Sequence, residues 1–423
     1  MCKYAVIGFG CAGYHAAKAL RERAPDSRID VYSDTGDPPA NPMLTTYYVA
    51  GKIGREAQFP LGAREEIVRA LGLRLLGSTP VKRVWAGDCA VELEDGRREA
   101  YDAIVLATGS QALVPPIPGR PEEDVFVMRT PADADRLLAR IGRGVSSALV
   151  IGASWVGIKV AEALYAHRVP TCVADMAPRI FPTAVLPGPA EIIRARLDKL
   201  GVGLKLGCGI QAMRREADGI VSVFQDGSEV KSEIVALCLG VRPAVGCLDR
   251  DEVAVGRGIR VNRRMETSAP RIYAAGDCCE AQEVATGQVM PVSLWANAVL
   301  QGRIAGCNAA GGREEYQGNF IHNVTHFLGM DFIGLGDNRA QGEALAYVSP
   351  EGWRLDMVCR EGRPVCVNLL DNHGLSGPLK ALLLKQLGGP PGRLGAETAA
   401  TLSAAGLPEH IIELLEGGDY GNA

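Results

Sequence analysis

The alternation of apolar and polar residues near the N-terminus predicts a strand, a tight turn, a helix and a second strand. Residues 4–7 form a short apolar run, and residues 8–13 form a glycine-rich turn. Residues 14–23 have the spacing of an amphipathic helix, and residues 29–32 form a second apolar run. This order is typical of the βαβ unit from which parallel sheets are built.

The same pattern returns about 140 residues later in the chain. Residues 148–151 are apolar, residues 152–157 form a second small-residue turn, and a helix through Ala166 leads to a strand at residues 171–174. Two such units predict an α/β protein with two Rossmann-like dinucleotide-binding domains, each built around a parallel sheet.

The segments between and after these units predict how the chain moves from one domain to the next. Residues 104–110 form an apolar strand that ends at Thr-Gly, and the proline-rich residues 114–119 indicate a domain crossing. A second crossing is predicted at residues 239–243, and residues 271–277 form a strand that ends in Gly-Asp.

Two more parts are predicted beyond the second crossing. Residues 320–387 contain alternating apolar stretches that favour a small α+β domain. After the Gly- and Pro-rich residues 388–392, a short helical tail is predicted at residues 397–416. This tail either caps the fold or docks a partner.

Composition narrows the class of protein. A length of 423 residues suggests roughly three domains at about 150 residues each. A hydrophobic content of 47% and a charged content of 22% are ordinary for a globular protein. The net charge of −4 comes without a basic block, which argues against a nucleic-acid surface. No stretch reaches the ~18 apolar residues that a membrane span needs.

The twelve cysteines contain no Cys-x-x-Cys pair. A first strand that begins near Tyr4 leaves no room for a signal peptide, so we expect a cytoplasmic location and mostly reduced thiols.

The first glycine-rich turn has the spacing of a dinucleotide-binding loop. Gly8 would make the tight turn, Gly10 would let the backbone approach a pyrophosphate, and Gly13 would allow close packing of helix on strand. The acid that usually binds the ribose falls near Ser33 and Asp34. The alternative is an ordinary turn between strand and helix.

The second turn differs in one glycine. Gly152 and Gly157 keep their places, and Ser154 stands where the middle glycine would be. Asp175 lies where an acid would bind the adenosine ribose, and its carboxylate would repel a 2′-phosphate, which favours NADH over NADPH. The nearby Arg179 would partly offset that repulsion.

These two loops, together with Ala-Thr-Gly-Ser at 107–110 and Tyr-Ala-Ala-Gly-Asp at 273–277, resemble the FAD-dependent pyridine nucleotide-disulfide oxidoreductases. The resemblance covers about residues 3 to 385. It implies FAD in the first domain and NAD(H) in the second, with the acid of the Gly-Asp pair on the ribityl–phosphate region of the flavin. The cofactor contacts that it implies in these segments and at the second crossing are Thr108, Gly109, Gly240, Gly276 and Asp277.

The resemblance also assigns the domains. Residues 1–115 and 243–312 would form a discontinuous FAD-binding domain, and residues 116–242 an NAD(H)-binding domain. Residues 313–388 would form a C-terminal α+β interface domain, followed by the tail at 389–423.

Two further segments point to one branch of the family. Residues 41–48, with Thr45 and Thr46, resemble the flavin-lining segment of NADH:rubredoxin reductases and of the flavin part of nitrite reductases. Thr46 replaces a lysine of ferredoxin-reductase relatives. The segment that begins at Leu294-Trp295 resembles the helix whose N-terminus faces the flavin pyrimidine ring. Such a helix end stabilises negative charge on a reduced flavin.

The positions of the cysteines argue against a disulfide-reducing mechanism. Met43 occupies the place of the single redox cysteine of coenzyme A disulfide reductases and NADH oxidases, so the nucleophile is missing. Cys278 and Cys279 are adjacent and would form only a strained disulfide; packing and a redox role remain alternatives. Cys11, inside the first turn, is interpreted as a packing residue.

Three residues of the second helix are candidate catalytic residues. Trp155 falls where relatives carry an aromatic residue over the nicotinamide face of the flavin; packing at a domain interface is the alternative. Lys159 and Glu162 would approach the nicotinamide or the flavin edge, or form a surface ion pair. His322 and His326 are four residues apart and would share a helix face, as a metal pair or in packing, but no third ligand is evident and no metal is expected.

The sequence therefore predicts an FAD-dependent NAD(H) oxidoreductase that exchanges electrons with an iron–sulfur or rubredoxin-type protein. The chain has no cysteine spacing for a cluster of its own, so the cluster would sit on a partner. The chain could act as the flavin subunit of a multi-subunit oxidoreductase. The resemblance implies a homodimer or a hetero-oligomer formed through the C-terminal domain. The alternatives are a free-standing NADH oxidase or peroxidase, a thiol-based disulfide reductase, and a binding module without turnover.

Overall fold

The computed structural model describes residues 1–361, 363–387 and 396–415. No helix in these residues combines the length and the apolar composition needed to cross a bilayer. The α-helices of the described residues, numbered along the chain, are α1 (Cys11–Arg23), α2 (Thr45–Val49), α3 (Arg64–Leu71), α4 (Pro131–Ile141), α5 (Trp155–Ala166), α6 (Pro187–Lys199), α7 (Trp295–Ala309), α8 (Ser376–Leu387), α9 (Ala396–Ala404) and α10 (Glu409–Leu415).

The first βαβ unit lies in a five-stranded sheet in which all neighbouring strands are parallel. Its strand from residues 103–106 is buried at every position, as expected for a parallel sheet covered on both faces. In spatial order the strands are Ile272–Ala274, Ala103–Leu106, Lys3–Ile7, Arg28–Tyr32 and Arg74–Leu76.

The second βαβ unit lies in another five-stranded parallel sheet with the same arrangement of strands. The predicted α/β class, with two Rossmann-like parallel sheets, is therefore confirmed. In the matching order the strands are Val125–Phe126, Ile234–Leu237, Ala148–Ile151, Thr171–Asp175 and Gly203–Leu206.

The two chain crossings between these sheets pair with each other. Ser110–Ala112 forms an antiparallel ribbon with Val241–Pro243. The outgoing and returning segments are therefore hydrogen-bonded side by side, and the first sheet receives its edge strand only after the chain returns.

Close contact between α1 and α7 ties the returning segment to the first βαβ unit. A Cβ atom added at Gly302 would lie 2.3 Å from the carbonyl oxygen of Ala12. One added at Gly306 would lie 2.2 Å from the carbonyl oxygen of Ala16. Only glycine lets the two helix backbones approach so closely.

The C-terminal part is a five-stranded antiparallel sheet. Helices α8, α9 and α10 share a hydrophobic core with it, and Leu186, at the start of α6, packs separately against Val358 and Cys366. Its strands in spatial order are His322–Phe327, Met330–Gly336, Arg363–Leu370, Arg354–Arg360 and Glu343–Val348. The smaller sheets take their strands from Val81–Trp85, Ala90–Leu93, Arg98–Ala100, Ile210–Glu216, Gly219–Phe224, Glu229–Ser232, Ile259–Arg260, Cys279–Gln282 and Val289–Met290.

The structure refines one expectation in this part and corrects another. The predicted helical tail consists of two helices, α9 and α10, which are separated at Gly406, with a φ of 93°, and the following Pro408. The predicted end of the tail, Glu416, lies outside the described residues. His322 and His326 lie on a β-strand rather than a helix, where alternate side chains still share one side.

Candidate functional site

The first glycine-rich loop is built so that two of its glycines cannot be replaced without a clash. Gly8 has a φ of 104°, and a Cβ atom there would lie 2.1 Å from the carbonyl oxygen of Ala107. A Cβ atom at Gly13 would lie 2.0 Å from the carbonyl oxygen of Gly8. At Gly10, in contrast, no atom lies within 4 Å of that position, so the loop is open on the side where a pyrophosphate would approach.

The second loop repeats this construction. Gly152 has a φ of 109° and would place a Cβ atom 2.3 Å from the carbonyl oxygen of Cys238. A Cβ atom at Gly157 would lie 1.8 Å from the carbonyl oxygen of Gly152. Ser154 fits at the middle position, and its Oγ donates to the carbonyl oxygen of Cys238 at 3.1 Å.

Helices α1, α5 and α7 are among the helices that begin without a side-chain cap. The residues before their first turns are Gly10 at α1, Ser154 at α5 and Leu294 at α7, and none of the three first turns contains an acid. Unsatisfied N–H groups at a helix N-terminus attract anions and electron-rich groups. The two loops therefore fit the phosphates of two dinucleotides.

Asp175 holds the second loop in shape. Its Oδ2 accepts a hydrogen bond from Ala153 N at 2.7 Å, and its Oδ1 accepts one from Ala177 N at 2.8 Å. The guanidinium of Arg179 donates to the carbonyl oxygens of nearby residues, including Phe181 at 3.1 Å. The partial offset expected from the charge of Arg179 stays a prediction.

The corresponding position in the first domain offers two candidates. Ser33 is buried, and its Oγ accepts a hydrogen bond from Thr35 N at 3.3 Å. Asp34 is exposed. Of the two, Asp34 is the one whose side chain faces solvent.

The Gly-Asp turn meets a residue that the sequence analysis missed. Gly276 has a φ of 82°, and the Oδ2 of Asp277 accepts hydrogen bonds from Ser110 Oγ at 2.9 Å and from Arg129 at 2.6 Å. Arg129 directly precedes the Thr130 capping box of α4. That capping motif was a signal in the sequence, but nothing in the sequence linked it to Asp277, which lies 148 positions away.

The remaining predicted contacts of the first domain line the crossing ribbon. Thr108 donates from Oγ1 to the carbonyl oxygen of Ala244 at 2.6 Å, and Gly109 has a φ of 69°. Gly240 has a φ of 98° and accepts a hydrogen bond from Leu113 N at 2.9 Å. Both glycines therefore occupy turns that require a positive φ.

A buried network connects the Gly-Asp turn to α7. Gln301 accepts a hydrogen bond from Gly276 N at 2.8 Å and donates to Asn319 Oδ1 at 2.8 Å. Six residues earlier, the carbonyl oxygen of Trp295 accepts a weak hydrogen bond from Cys11 Sγ at 3.8 Å. The first turns of α1 and α7 and the Gly-Asp turn therefore converge.

The segment that precedes and forms α2 is also well anchored. Asn41 Oδ1 accepts a hydrogen bond from Met43 N at 3.0 Å. Thr45 donates from Oγ1 to the carbonyl oxygen of Pro42 at 2.7 Å, and Thr46 donates to that of Met43 at 3.4 Å. Both threonines are buried, whereas Met43 is 42% exposed.

Lys159 lies buried beside Tyr47 rather than at the surface. Its Nζ is 3.8 Å from the centre of the Tyr47 ring, and both side chains donate to the carbonyl oxygen of His326. Burial lowers the pKa of Lys159, and the adjacent phenol opposes that shift. Burial also raises the pKa of Tyr47, but the hydrogen bond and charge of Lys159 outweigh it, so the net shift is downward.

Glu162 has other partners. Its Oε1 lies 2.8 Å from Lys52 Nζ and accepts a hydrogen bond from Leu328 N at 2.7 Å. The alternative of a surface ion pair between Lys159 and Glu162 is therefore wrong, because helix α5 turns Lys159 inward and brings Glu162 to Lys52.

Trp155 belongs to an aromatic cluster. Its ring centre lies 4.4 Å from that of Phe181, 5.6 Å from that of Phe327 and 4.7 Å from that of Phe332. The cluster joins the second parallel sheet to the C-terminal sheet. These contacts favour the packing interpretation of Trp155 over a cover for the flavin.

The thiols near the site are poor nucleophiles. Cys278 and Cys279 are fully buried, and burial raises the pKa of both. Burial also raises the pKa of Cys11 to about 12. None of the twelve cysteines, all of which are described, forms a disulfide. A thiol is reactive as the thiolate, so burial and the raised pKa values favour the packing interpretation of these three side chains.

The two histidines lie in different surroundings. His326 Nδ1 lies 2.7 Å from Asp331 Oδ1, and burial lowers the pKa of His322 to about 4. Among the described residues, no group of three or more His, Cys, Asp or Glu side chains is arranged to hold a metal ion.

Comparison with known proteins identifies the family. The family model described as pyridine nucleotide-disulphide oxidoreductase matches residues 2–302. An NADH oxidase of Methanocaldococcus jannaschii is 30% identical over 337 residues, which cover 78% of this chain and 75% of that protein. A rubredoxin-NAD(+) reductase of Pseudomonas putida is 27% identical, over 72% of this chain and 79% of that protein.

Two further proteins extend the comparison. The epsilon subunit of an NADH-dependent phenylglyoxylate dehydrogenase of Aromatoleum evansii is 27% identical over 79% of each chain. The structure of a water-forming NADH oxidase of Lactobacillus brevis, bound to NADH, superimposes with a TM-score of 0.86 over 91% of each chain, at 22% identity. This likeness is one of fold.

Proposed function

The chain belongs to the pyridine nucleotide-disulphide oxidoreductase family, and from that premise we propose that it passes electrons between NAD(H) and an iron–sulfur or rubredoxin-type protein. The chain is an FAD-dependent NAD(H) oxidoreductase. The identity of its electron acceptor is our proposal.

The two cofactors are assigned to the two glycine-rich loops. The first loop and the segments around it would hold FAD, and the second loop would hold NAD(H). The proposed FAD ligands are Gly8, Gly10, Gly13, Ser33, Asp34, Thr45, Thr46, Thr108, Gly109, Gly240, Gly276, Asp277 and Trp295. The proposed NAD(H) ligands are Gly152, Ser154, Gly157 and Asp175.

The domain assignment is part of the same proposal. Residues 1–115 and 243–312 would bind FAD, residues 116–242 would bind NAD(H), and residues 313–388 would form the interface domain, followed by the tail. The antiparallel ribbon between the two crossings supports this division, since it joins the exit and the return of the chain at one place.

Bound FAD accepts a hydride from NADH and can release electrons singly, which suits a protein acceptor with a one-electron centre. The chain would contribute orientation and electrostatics. The N-terminus of α7 places the positive end of a helix dipole at the Gly-Asp turn. The side chain of Lys159, buried one turn beyond Trp155, would add a positive charge there when it is protonated.

The state of the thiols carries this proposal. A disulfide reductase of this family needs an accessible thiolate, but Met43 stands at the exposed position and Cys11, Cys278 and Cys279 are buried with raised pKa values. The names of two relatives, a rubredoxin reductase and a subunit of a larger dehydrogenase, support a protein acceptor.

An anaerobic titration of the purified protein with NADH, followed by absorbance, tests the proposal. We expect full reduction of the flavin at one NADH per FAD, without a thiolate-to-flavin charge-transfer band. Uptake of two NADH per FAD, or such a band at half reduction, would replace the proposal by a thiol-based reductase with Cys278 and Cys279 as first suspects.

A free-standing NADH oxidase is the second candidate, and the NADH oxidase relative favours it. The two functions differ in their acceptor. Rapid oxygen consumption by the isolated protein with NADH would support the oxidase. Slow oxygen consumption, together with rapid reduction of added rubredoxin, would support the protein acceptor.

A further inference from the structure

We propose that the side-chain amide of Asn297 binds the FAD, by donating a hydrogen bond to a carbonyl or hydroxyl oxygen of the cofactor. The inference rests on the FAD dependence of the chain and is independent of the electron acceptor. Asn297 is the third residue of α7.

The first observation is an unsatisfied amide. Asn297 is only 5% exposed, and its Nδ2 is buried without a hydrogen-bond partner among the described residues. Native proteins rarely leave such a donor unpaired, because the hydrogen bonds to water that it loses on burial are then not replaced. An acceptor from outside the chain would satisfy it.

The second observation is the position of this amide. Asn297 precedes Gln301 by four residues, so both side chains lie on one side of α7. Gln301 accepts the hydrogen bond from Gly276 N, which places that side of the helix against the Gly-Asp turn. The added Cβ of Gly276 would meet Ala12 and Ala298, so α1, α7 and the turn meet at this point.

The surroundings define the chemistry of the acceptor. Asn297 lies in a first turn that has no acid and no side-chain cap, beside the N-terminus of α1. An uncharged amide donor in such a place suits a neutral or partly negative oxygen. FAD carries both kinds, as pyrimidine carbonyls and as ribityl hydroxyls.

The same helix supplies a matched control. Asn308 is 3% exposed, but its Nδ2 donates to the carbonyl oxygens of Arg264 and Glu314 at 2.9 and 2.8 Å, and its Oδ1 accepts a hydrogen bond from Glu314 N at 2.8 Å. All of its polar atoms are therefore used within the protein. Asn308 therefore has a structural role, whereas the Nδ2 of Asn297 has no hydrogen-bond partner among the described residues.

The test compares Asn297→Leu with Asn308→Leu in the full-length holoenzyme. The dissociation constant of FAD is measured from the fluorescence of flavin released on dilution, and stability from urea unfolding with excess FAD. We expect Asn297→Leu to raise the dissociation constant about tenfold, the effect of one lost hydrogen bond. We expect Asn308→Leu to lower the urea midpoint more and to leave the dissociation constant within about twofold.

The midpoint potential identifies which oxygen is bound. If it is a pyrimidine carbonyl, Asn297→Leu also weakens binding of the reduced flavin, and a further tenfold effect on that form lowers the two-electron potential by about 30 mV. If it is a ribityl hydroxyl, the dissociation constant rises while the potential and the visible spectrum stay unchanged. Either result supports the proposal.

Asn297→Asp guards against a folding defect. This variant keeps the size of the side chain, and the N–H groups of the first turn of α7 partly offset the cost of burying its charge. Its carboxylate cannot donate at pH 8, so we expect weaker FAD binding at a urea midpoint that still shows a folded protein. Wild-type values of the FAD dissociation constant in both Asn297 variants, or equal effects of the two leucine variants on that constant, would overturn the proposal. The proposed function would not be affected in that case, because the NADH titration that tests it does not depend on Asn297.

Discussion

At the scale of single residues, Asp175 has a structural role, and we propose that it also has a role in nucleotide specificity. Its two oxygens hold the backbone of the second loop through Ala153 N and Ala177 N. The same carboxylate would repel a 2′-phosphate, and Arg179 is occupied by main-chain carbonyls. The preference for NADH over NADPH stays a prediction.

This geometry predicts the effect of replacing Asp175. Asp175→Ala combined with Met176→Arg removes the negative charge and adds a guanidinium at a residue that is 75% exposed. We expect the ratio of kcat/KM for NADPH to that for NADH to rise about 10- to 100-fold, equivalent to roughly 1.4–3 kcal/mol. Steady-state rates with an artificial electron acceptor measure the ratio.

Met176→Arg alone serves as the control for this pair. It adds the positive charge while the carboxylate stays, so a smaller change is expected. An unchanged nucleotide ratio in the double variant would remove Asp175 from the proposed NAD(H) site.

His322 makes stability depend on pH. Its Nε2 is buried without a partner among the described residues, and burial, with a contribution from Lys380, lowers the pKa from 6.5 to about 4. Between these two pH values the imidazole of His322 is protonated in the unfolded chain and neutral in the folded chain. The free energy of unfolding therefore falls as the pH drops through this window.

We expect His322→Leu to lose less stability than the wild type between pH 7 and pH 5. The expected difference is on the order of 1–2 kcal/mol, after allowance for partial exposure of the ring. Urea unfolding at the two pH values measures it. Parallel losses in both proteins would show that other groups dominate the acid sensitivity.

At the scale of elements, the contact between α1 and α7 sets the geometry around the first loop. Gly302 and Gly306 allow the two backbones to touch, and this contact brings the first turn of α7 to that of α1. A side chain at either glycine would push the helices apart.

Gly302→Ala is therefore expected to lower the free energy of unfolding by about 1–3 kcal/mol, since its Cβ would overlap a main-chain oxygen. Gly142→Ala is the control, because a Cβ there would meet its nearest atom at an ordinary 3.5 Å. Urea unfolding of the two variants decides the matter, and equal stabilities would mean that α7 shifts without cost.

At the scale of the whole molecule, the tail completes a hydrophobic core. Helices α9 and α10 pack with α8 on the C-terminal sheet, which supports the role of a cap rather than a docking element. The tail residues buried in this core are Leu402, Leu407, Ile411, Ile412 and Leu415.

Deletion of residues 396–423 is expected to expose this core. Each buried aliphatic side chain contributes about 1.5–3 kcal/mol, so the C-terminal sheet should bind a hydrophobic dye and aggregate, whereas the flavin should still be reduced by NADH. Leu402→Ala, with an expected loss of about 2–5 kcal/mol, gives a milder version. A truncated protein that stays stable but no longer reduces its acceptor would instead make the tail a docking element.

The sequence predicted the site unevenly, and the reason is physical. Gly13 and Gly157 act locally, because each faces a carbonyl oxygen of its own loop, and the spacing of the glycines alone identified the loops. Arg129 instead acts on Asp277, which lies 148 positions away, and no local pattern marks such a meeting.

By itself, the sequence determined the two parallel sheets, the two loops, the crossings between them and the family, because these depend on periodicity and on short motifs with fixed spacing. Only the tertiary structure decided which polar groups meet. In the folded chain Lys159 lies against Tyr47, Glu162 pairs with Lys52, and Arg129 pairs with Asp277. Side-chain partners across separate elements depend on how those elements pack, and that packing is a property of the whole chain.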